Sequence, residues 1–213
     1  MQQVVAWLVA FMLAQAPLSR PQYIADAKEA IPDGAARYNA IATDIVEVMK
    51  TERPLFRGSD GKLRTSIIIL SSMLRESGFR RDVDYGLGPQ ARGDHGNSVC
   101  MMQLNIGKGR TARWNIVKDR EAWPLDPPGD IQEGWNAQEV LADRQKCIRA
   151  GLRVARMSFD HCRFRPQQYW LCGYLSGSCM IAGQESTIRM GLAAKWYMGH
   201  KPAFNDLAFQ TTE

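Results

Sequence analysis

The sequence lacks several features that would assign it to a common class of protein. It has no dense run of lysine and arginine, and no repeat that alternates basic with aromatic residues. Nothing therefore indicates a nucleic-acid partner. None of its cysteines forms a CxxC pair, the spacing typical of structural zinc sites, so no metal site is predicted. Internal repeats and low-complexity segments are also missing.

What is present is typical of one globular domain. The chain has 213 residues, 45% of them apolar and 23% charged, which is enough for a real hydrophobic core. The 27 basic residues exceed the 22 acidic residues by 5. This balance favours a polyanionic partner such as an acidic cell-wall polymer. The densest basic stretch, 144–165, is either the solvated face of a helix or a surface that faces a polyanion.

The cysteines predict disulfide bonds. Four of the five fall within 33 residues and lack metal-ligand spacing, which indicates an oxidising compartment. Because the number is odd, at least one thiol stays free, and the sequence does not determine the pairing. The five are Cys100, Cys147, Cys162, Cys172 and Cys179.

The N-terminus has two interpretations. Residues 4–14, VVAWLVAFMLA, form an apolar run of eleven residues, the length of a signal-peptide core and too short to span a bilayer. Residues 14–16, AQA, resemble a signal-peptide cleavage site. Two features count against a signal peptide: no basic residue precedes the apolar run, since the first is Arg20, and Pro17 would follow the cut. Residues 1–16 are therefore either a leader for export or membrane passage, or a retained arm docked on a core or partner. Residues 17–213 are predicted to form one domain.

Hydrophobic periodicity predicts a mainly α fold. Apolar residues spaced i, i+4, i+7 and i+8 predict a helix from about Asp33. Residues 62–77, KLRTSIIILSSMLRES, are apolar on nearly all sides, which predicts a buried central helix. Further helices are predicted over 136–159, 166–177 and 185–199, with at most a small β element around 83–104.

Glu76 lies at the C-terminal end of the predicted central helix. Burial and the helix dipole at that end both favour the protonated acid over the carboxylate. Cleavage of a glycosidic bond requires a protonated carboxyl beside the leaving oxygen. The ordinary alternative is an exposed glutamate at the end of a helix.

Three segments together resemble a known enzyme superfamily. They are MLRESGF (73–79), GDHGNSVCMMQLN (93–105) and WLCGYLSG (170–177). In this order and at these distances they resemble the lysozyme-like superfamily, specifically goose-type lysozymes and soluble lytic transglycosylases. Those families carry a catalytic glutamate in an E-S-G-F-like segment, then a G-D-x-G-N/S loop, a G-L-M-Q segment and a later A-Y-N-x-G segment. The resemblance covers about 64–197 and implies a lysozyme-like α+β domain whose central helix ends at the catalytic glutamate.

The resemblance implies a role for five residues. Glu76 would be the general acid and base, and Asp94 would match an aspartate that goose-type enzymes use in hydrolysis. Ser98 and Gln103 would contact sugars along the cleft. Tyr174 would be the tyrosine that forms a hydrogen bond near the acid.

The sequence also departs from the family pattern. Cys100 stands where the family has the glycine of its G-L-M-Q segment, and 172–176 replaces the usual A-A-Y-N-A. The missing asparagine puts that part of the sugar site in doubt. Cys100 and Cys172 are either bridged across the cleft or two unrelated small buried residues.

The implied activity is cleavage of the β-1,4 bond between N-acetylmuramic acid and N-acetylglucosamine in peptidoglycan, without a cofactor. The partner would be a glycan strand, and residues 1–16 could also touch a membrane or a virion. The expected location is the periplasm, the cell exterior or, for a phage protein, the virion.

The reaction type depends on a second carboxylate. Hydrolysis needs one to activate water, whereas a lytic transglycosylase lets the sugar's own 6-hydroxyl attack. Asp94 is the best candidate, Asp82 and Asp84 are weaker ones, and Asp94 could equally be a turn residue. Ser98 and the S-x-x-x-x-Q arrangement favour transglycosylase chemistry.

Two other hypotheses belong to different classes. One is a degenerate lysozyme-fold protein that binds glycan or serves structurally without turnover. The other is a zinc- or thiol-dependent hydrolase built on His95, Cys100, His161 and Cys162.

Overall fold

The computed structural model describes residues 1–19, 29–87, 93, 98–105, 117–118 and 135–210, and the fold is given for these residues. Their helices are α1 (Gln2–Gln15), α2 (Ile31–Thr51), α3 (Gly61–Ser77), α4 (Arg81–Asp84), α5 (Ala137–Ala142), α6 (Arg144–Cys162), α7 (Cys172–Ser176) and α8 (Gly183–Gly199). Two 3-10 turns cover Gln167–Tyr169 and Asp206–Phe209. The predicted mainly helical class is confirmed.

Two pairs of very short strands accompany the helices. Strands β1 (Ser98–Val99) and β2 (Leu104–Asn105) form an antiparallel hairpin, which is the small β element predicted near this position. Strands β3 (Val117–Lys118) and β4 (Trp135–Asn136) pair in parallel and lie outside the range predicted for β structure.

Helix α3 is the centre of the fold. Its side chains from Ile67 to Leu70 are at most 3% exposed, and Met73 is fully buried. The helix packs most extensively against α8, with further contacts to α1, α2 and α6. The predicted buried central helix is therefore confirmed, and Glu76 is its penultimate residue.

The helix predicted over 136–159 is interrupted. Asp143 takes an extended conformation (φ −134°, ψ 108°) and its side chain accepts a hydrogen bond from the backbone N–H of Lys146. Asp143 therefore caps the N-terminus of α6, and the chain before it forms the separate helix α5. Asn136, the predicted cap, lies in β4 instead.

The N-terminal segment forms a helix that packs on the core. Val4, Leu8, Phe11 and Met12 of α1 are fully buried. The Phe11 ring contacts the Trp196 ring of α8 edge-on, with centroids 5.3 Å apart. Both interpretations of residues 1–16 stay predictions. Among the described residues, no helix is both long and apolar enough to cross a membrane.

Two disulfide bonds join distant elements. Cys100 in the β1–β2 hairpin is bonded to Cys147 of α6, and Cys162 at the end of α6 is bonded to Cys179 before α8. Cys172 is a free, buried thiol. The predictions of disulfides and of one unpaired thiol are confirmed, whereas the Cys100–Cys172 bridge is wrong because Cys100 already has a partner.

The basic stretch on α6 is largely turned toward acids of the same chain. Arg153, Arg156 and Arg149 reach the Glu52 carboxylate at 2.7, 3.3 and 3.7 Å. Glu52 is only 8% exposed. These three arginines are therefore neither a solvated helix face nor a surface left free for a polyanion, because Glu52 binds them.

Candidate active site around Glu76

The chain turns sharply immediately after Glu76. Gly78 ends α3 in the left-handed conformation (φ 60°), and its N–H donates to the carbonyl of Leu74 at 2.9 Å. Glycine adopts this conformation at little cost, which explains its place at the helix end. Phe79 follows, fully buried, and its carbonyl accepts a hydrogen bond from Arg37 at 2.8 Å. The turn is thus anchored on the core and fixes the position of Glu76.

Glu76 forms an ion pair that the sequence did not indicate. Nη1 of Arg189 on α8 donates to Oε1 of Glu76 at 2.7 Å. The Arg189 side chain is 5% exposed and the Glu76 side chain 21% exposed. A buried cation in direct contact favours the ionised carboxylate, which opposes the effect expected from burial and the helix dipole.

The ion pair belongs to a ring of four charges, which is closed by the chain itself because Arg75 and Glu76 are consecutive residues. Glu185, one turn before Arg189 on α8, lies 3.8 Å from Nη2 of Arg189. Arg75, adjacent to Glu76, contacts Glu185 at 2.8 Å. Two arginines and two glutamates therefore alternate where the end of α3 meets the start of α8, and the ring is neutral when all four groups are charged.

Tyr174 on α7 lies within the electrostatic field of Glu76. Burial raises the pKa of Tyr174 well above its ordinary value, the Glu76 charge raises it further, and Arg189 lowers it. The phenol therefore stays protonated at neutral pH and donates to the Met102 carbonyl at 2.6 Å. This bond joins α7, which carries Tyr174, to the β1–β2 hairpin, which carries Gln103.

The hairpin has an unusual backbone. Cys100 and Gln103 both have positive φ, 60° and 44°, although neither is glycine. Non-glycine residues are uncommon in this region, and such strained positions are enriched at functional sites. The disulfide to Cys147 anchors Cys100 to α6, and the Gln103 side chain donates to the Cys100 carbonyl at 2.9 Å.

Ser98 and Gln103 are close to the same glycine. Ser98 is 2% exposed, and its backbone pairs with Gly93 as well as with Asn105. A Cβ atom placed on Gly93 would lie 2.0 Å from Oε1 of Gln103, so a larger residue at this position would displace that amide. The predicted sugar contacts of Ser98 and Gln103 stay predictions.

The candidates for a second carboxylate differ in their surroundings. Asp94 lies outside the described residues. The Asp84 side chain is fully buried and pairs with Arg144 at 2.7 Å, which ties α4 to α6. Asp82 pairs with its neighbour Arg80. Asp84 is therefore engaged as a structural anion and is a poor candidate for activating water.

Both cysteines of the zinc or thiol hypothesis are engaged in other bonds. Cys100 and Cys162 are both oxidised in disulfides, so neither offers a thiolate. His95 lies outside the described residues. Within the part of the chain that the structure describes, no group of three or more His, Cys, Asp or Glu side chains could hold a metal ion.

Sequence reasoning missed Arg189. It is one of many arginines, and on α8 it follows an ordinary helical pattern. The sequence offered only a weak signal. Arg189 lies four residues after Glu185, on a helix expected to bury one face. Its partner Glu76 is 113 positions away in the sequence, so only the packing of α3 on α8 reveals the contact.

Comparisons with protein-family models, with curated proteins and with solved structures found no match for this chain.

Proposed function

We propose that this protein is a lysozyme-like glycosidase that cleaves the β-1,4 bond between N-acetylmuramic acid and N-acetylglucosamine in peptidoglycan. The observation that carries the proposal is the convergence of three separate segments. Glu76 ends the buried helix with its side chain 21% exposed, and Tyr174 is electrostatically coupled to it. The Tyr174 hydroxyl in turn binds the hairpin that carries Gln103. These are the three segments whose sequences resemble goose-type lysozymes and lytic transglycosylases.

The backbone of the hairpin adds a second line of support. Cys100 occupies the position where those families carry glycine, and here it takes the left-handed conformation that glycine adopts most readily. A glycine at this position would adopt the same conformation without strain. A disulfide to Cys147 holds the substituted residue in place.

In the proposed reaction Glu76 donates its proton to the leaving glycosidic oxygen as the bond to the sugar carbon breaks. In transglycosylase chemistry, the 6-hydroxyl of the same sugar then attacks that carbon and closes an anhydro ring. Its proton passes to the Glu76 carboxylate, which restores the acid. Tyr174 stays protonated throughout and holds α7 against the hairpin. No cofactor takes part in these steps.

A second candidate function is glycan binding without turnover. The specific observation in its favour is the Arg189 contact, because a carboxylate paired with a buried guanidinium is stabilised in the form that cannot donate a proton. The missing asparagine in 172–176 points the same way. Such a protein would bind peptidoglycan strands and leave them intact.

The deciding experiment uses purified sacculi. We expect the wild-type protein to lower their turbidity equally with and without a chelator, and mass spectrometry of the released material to identify the bond that breaks. Glu76→Gln should lose at least about 100-fold in rate, because it cannot donate the proton. Glu47→Gln is the matched control, since Glu47 on α2 pairs with Lys50 on the surface. Normal clearing by Glu76→Gln would refute the proposal, and sedimentation with sacculi without clearing would favour the binding protein.

The proposed setting is the periplasm, the cell exterior or a virion. The two disulfides fit an oxidising environment. The net charge of +5 would favour approach to an anionic wall.

A further inference from the structure

Arg189 has no part in the proton transfers described above, yet its side chain directly contacts the proposed acid. Its guanidinium is almost fully buried, with Nη1 on Glu76 at 2.7 Å and Nη2 at 3.8 Å from Glu185. Its Nε is buried and has no hydrogen-bond partner among the described residues. A buried guanidinium with one strong contact, one long contact and one unused donor is poorly satisfied in this position.

Glu185 offers the same guanidinium a second carboxylate. It lies one helical turn before Arg189, and its side chain is 40% exposed and held by Arg75. A small rotation of the Arg189 side chain would shorten the 3.8 Å contact and lengthen the 2.7 Å contact. Glu76 and Glu185 therefore compete for the same guanidinium.

We propose that Arg189 is a positioning residue that controls the protonation state of Glu76. It holds Glu76 as a carboxylate in the free protein and shifts toward Glu185 when a glycan strand binds, so that Glu76 takes up a proton from solvent. This inference rests on the proposed function, because proton uptake by Glu76 serves catalysis only if Glu76 is the general acid.

Charge balance provides the physical link to substrate. The ring is neutral with all four groups ionised, and one proton on Glu76 leaves a net charge of +1. An anionic peptidoglycan strand at the site would offset that charge, so strand binding and proton uptake favour each other. The described charged or titratable groups involved are Arg75 on α3, Glu185 and Arg189 on α8, and Tyr174 on α7. Tyr174 stays neutral over the relevant pH range.

The test follows the Glu76 carboxyl directly. Side-chain carboxyl carbons of ¹³C-labelled glutamate are titrated by NMR in the full-length protein, and the Glu76 signal is assigned by its loss in Glu76→Gln. In Arg189→Met the titration midpoint of the Glu76 carboxyl should rise by about 1 to 3 pH units, because the positive charge beside it is lost. Arg75→Met is the matched control: it removes the other cation of the ring, which contacts Glu185, and should shift the midpoint much less.

Activity against sacculi supplies the second readout. Since the protonated acid is the active form, removal of the cation should move the alkaline limb of the pH–rate profile to higher pH in Arg189→Met. Arg189→Lys, which keeps the charge, is the variant to use if Arg189→Met does not fold. Its Glu76 titration midpoint should stay within about half a pH unit of the wild-type value. A midpoint unchanged in folded Arg189→Met, or strongly raised in Arg189→Lys, would overturn the inference.

The two readouts separate this inference from the proposed function. If the wild type fails to cleave sacculi at every pH but the NMR midpoint still rises in Arg189→Met, the glycosidase proposal fails and Arg189 remains the residue that sets the charge of Glu76. If sacculi are cleaved and the alkaline limb does not move in Arg189→Met, the glycosidase stands and control by Arg189 is refuted.

Discussion

Arg189 donates to Glu76 at 2.7 Å, and this contact ties the end of α3 to the first turns of α8. It makes Glu76 part of the folded structure as well as the proposed acid. From the sequence alone, Glu76→Gln is expected to remove activity and leave the melting temperature unchanged. The ion pair changes the second half of that expectation, because Arg189 would lose its charged partner inside the protein.

Glu76→Gln should therefore lower the free energy of unfolding by about 1 to 3 kcal/mol, the cost of leaving a buried polar group poorly paired. For a chain of this size, that corresponds to a melting temperature lower by several °C. Thermal unfolding followed by circular dichroism measures it, with Glu47→Gln as the control. Identical melting temperatures for Glu76→Gln and the wild type would mean that Arg189 contributes nothing to stability through Glu76.

The thiols should titrate in a fixed pattern. Cys172 is buried, and the other four cysteines are in disulfides. A thiol reagent should find almost none in the native protein, one after unfolding without reductant, and five after reduction. Reductant should also lower the melting temperature, because a disulfide typically contributes about 2 to 4 kcal/mol. Five reactive thiols in freshly purified native protein would refute the assignment to an oxidising compartment.

Helix α1 offers a matched pair of substitutions. Phe11 is fully buried against Trp196, whereas Leu13 is 40% exposed on the same helix. If α1 stays docked, Phe11→Ala should cost about 3 to 5 kcal/mol and Leu13→Ala much less, because only the first leaves a cavity. Urea unfolding measures both. Equal and small effects would favour the interpretation of residues 1–16 as a leader.

Asp94→Asn tests the reaction type. If the enzyme is a transglycosylase, anhydro-muropeptides should dominate the products, and Asp94→Asn should retain activity because no second carboxylate is needed. Mass spectrometry of the digest distinguishes anhydro from reducing ends. Mainly reducing-end products from the wild type, abolished in Asp94→Asn, would instead identify a lysozyme with Asp94 as the base.

Local patterns in the sequence were enough to predict the central helices. The stripe Ile41, Ile45, Val48 and Met49 is fully buried in α2, as its spacing predicted. Likewise, the apolar run of α3 predicted both its burial and the place of Glu76 at its end. These features follow from residues within a few turns of each other, where periodicity is informative.

Features that depend on tertiary packing were not predictable. The partner of Cys100 is Cys147, since the hairpin packs against α6. The pairing of Arg153 on α6 with Glu52 joins residues about 100 positions apart. In each case the deciding contact is long-range.

The Cys100–Cys147 bond has a topological consequence. It converts the chain between those two residues into a covalent ring that contains strands β2, β3 and β4 as well as helix α5. A protease that cuts this ring once would leave both fragments joined through sulfur. The nicked protein would then migrate as one species without reductant and as two with it, so that a cut in the ring could be told apart from a cut anywhere outside the two disulfide loops.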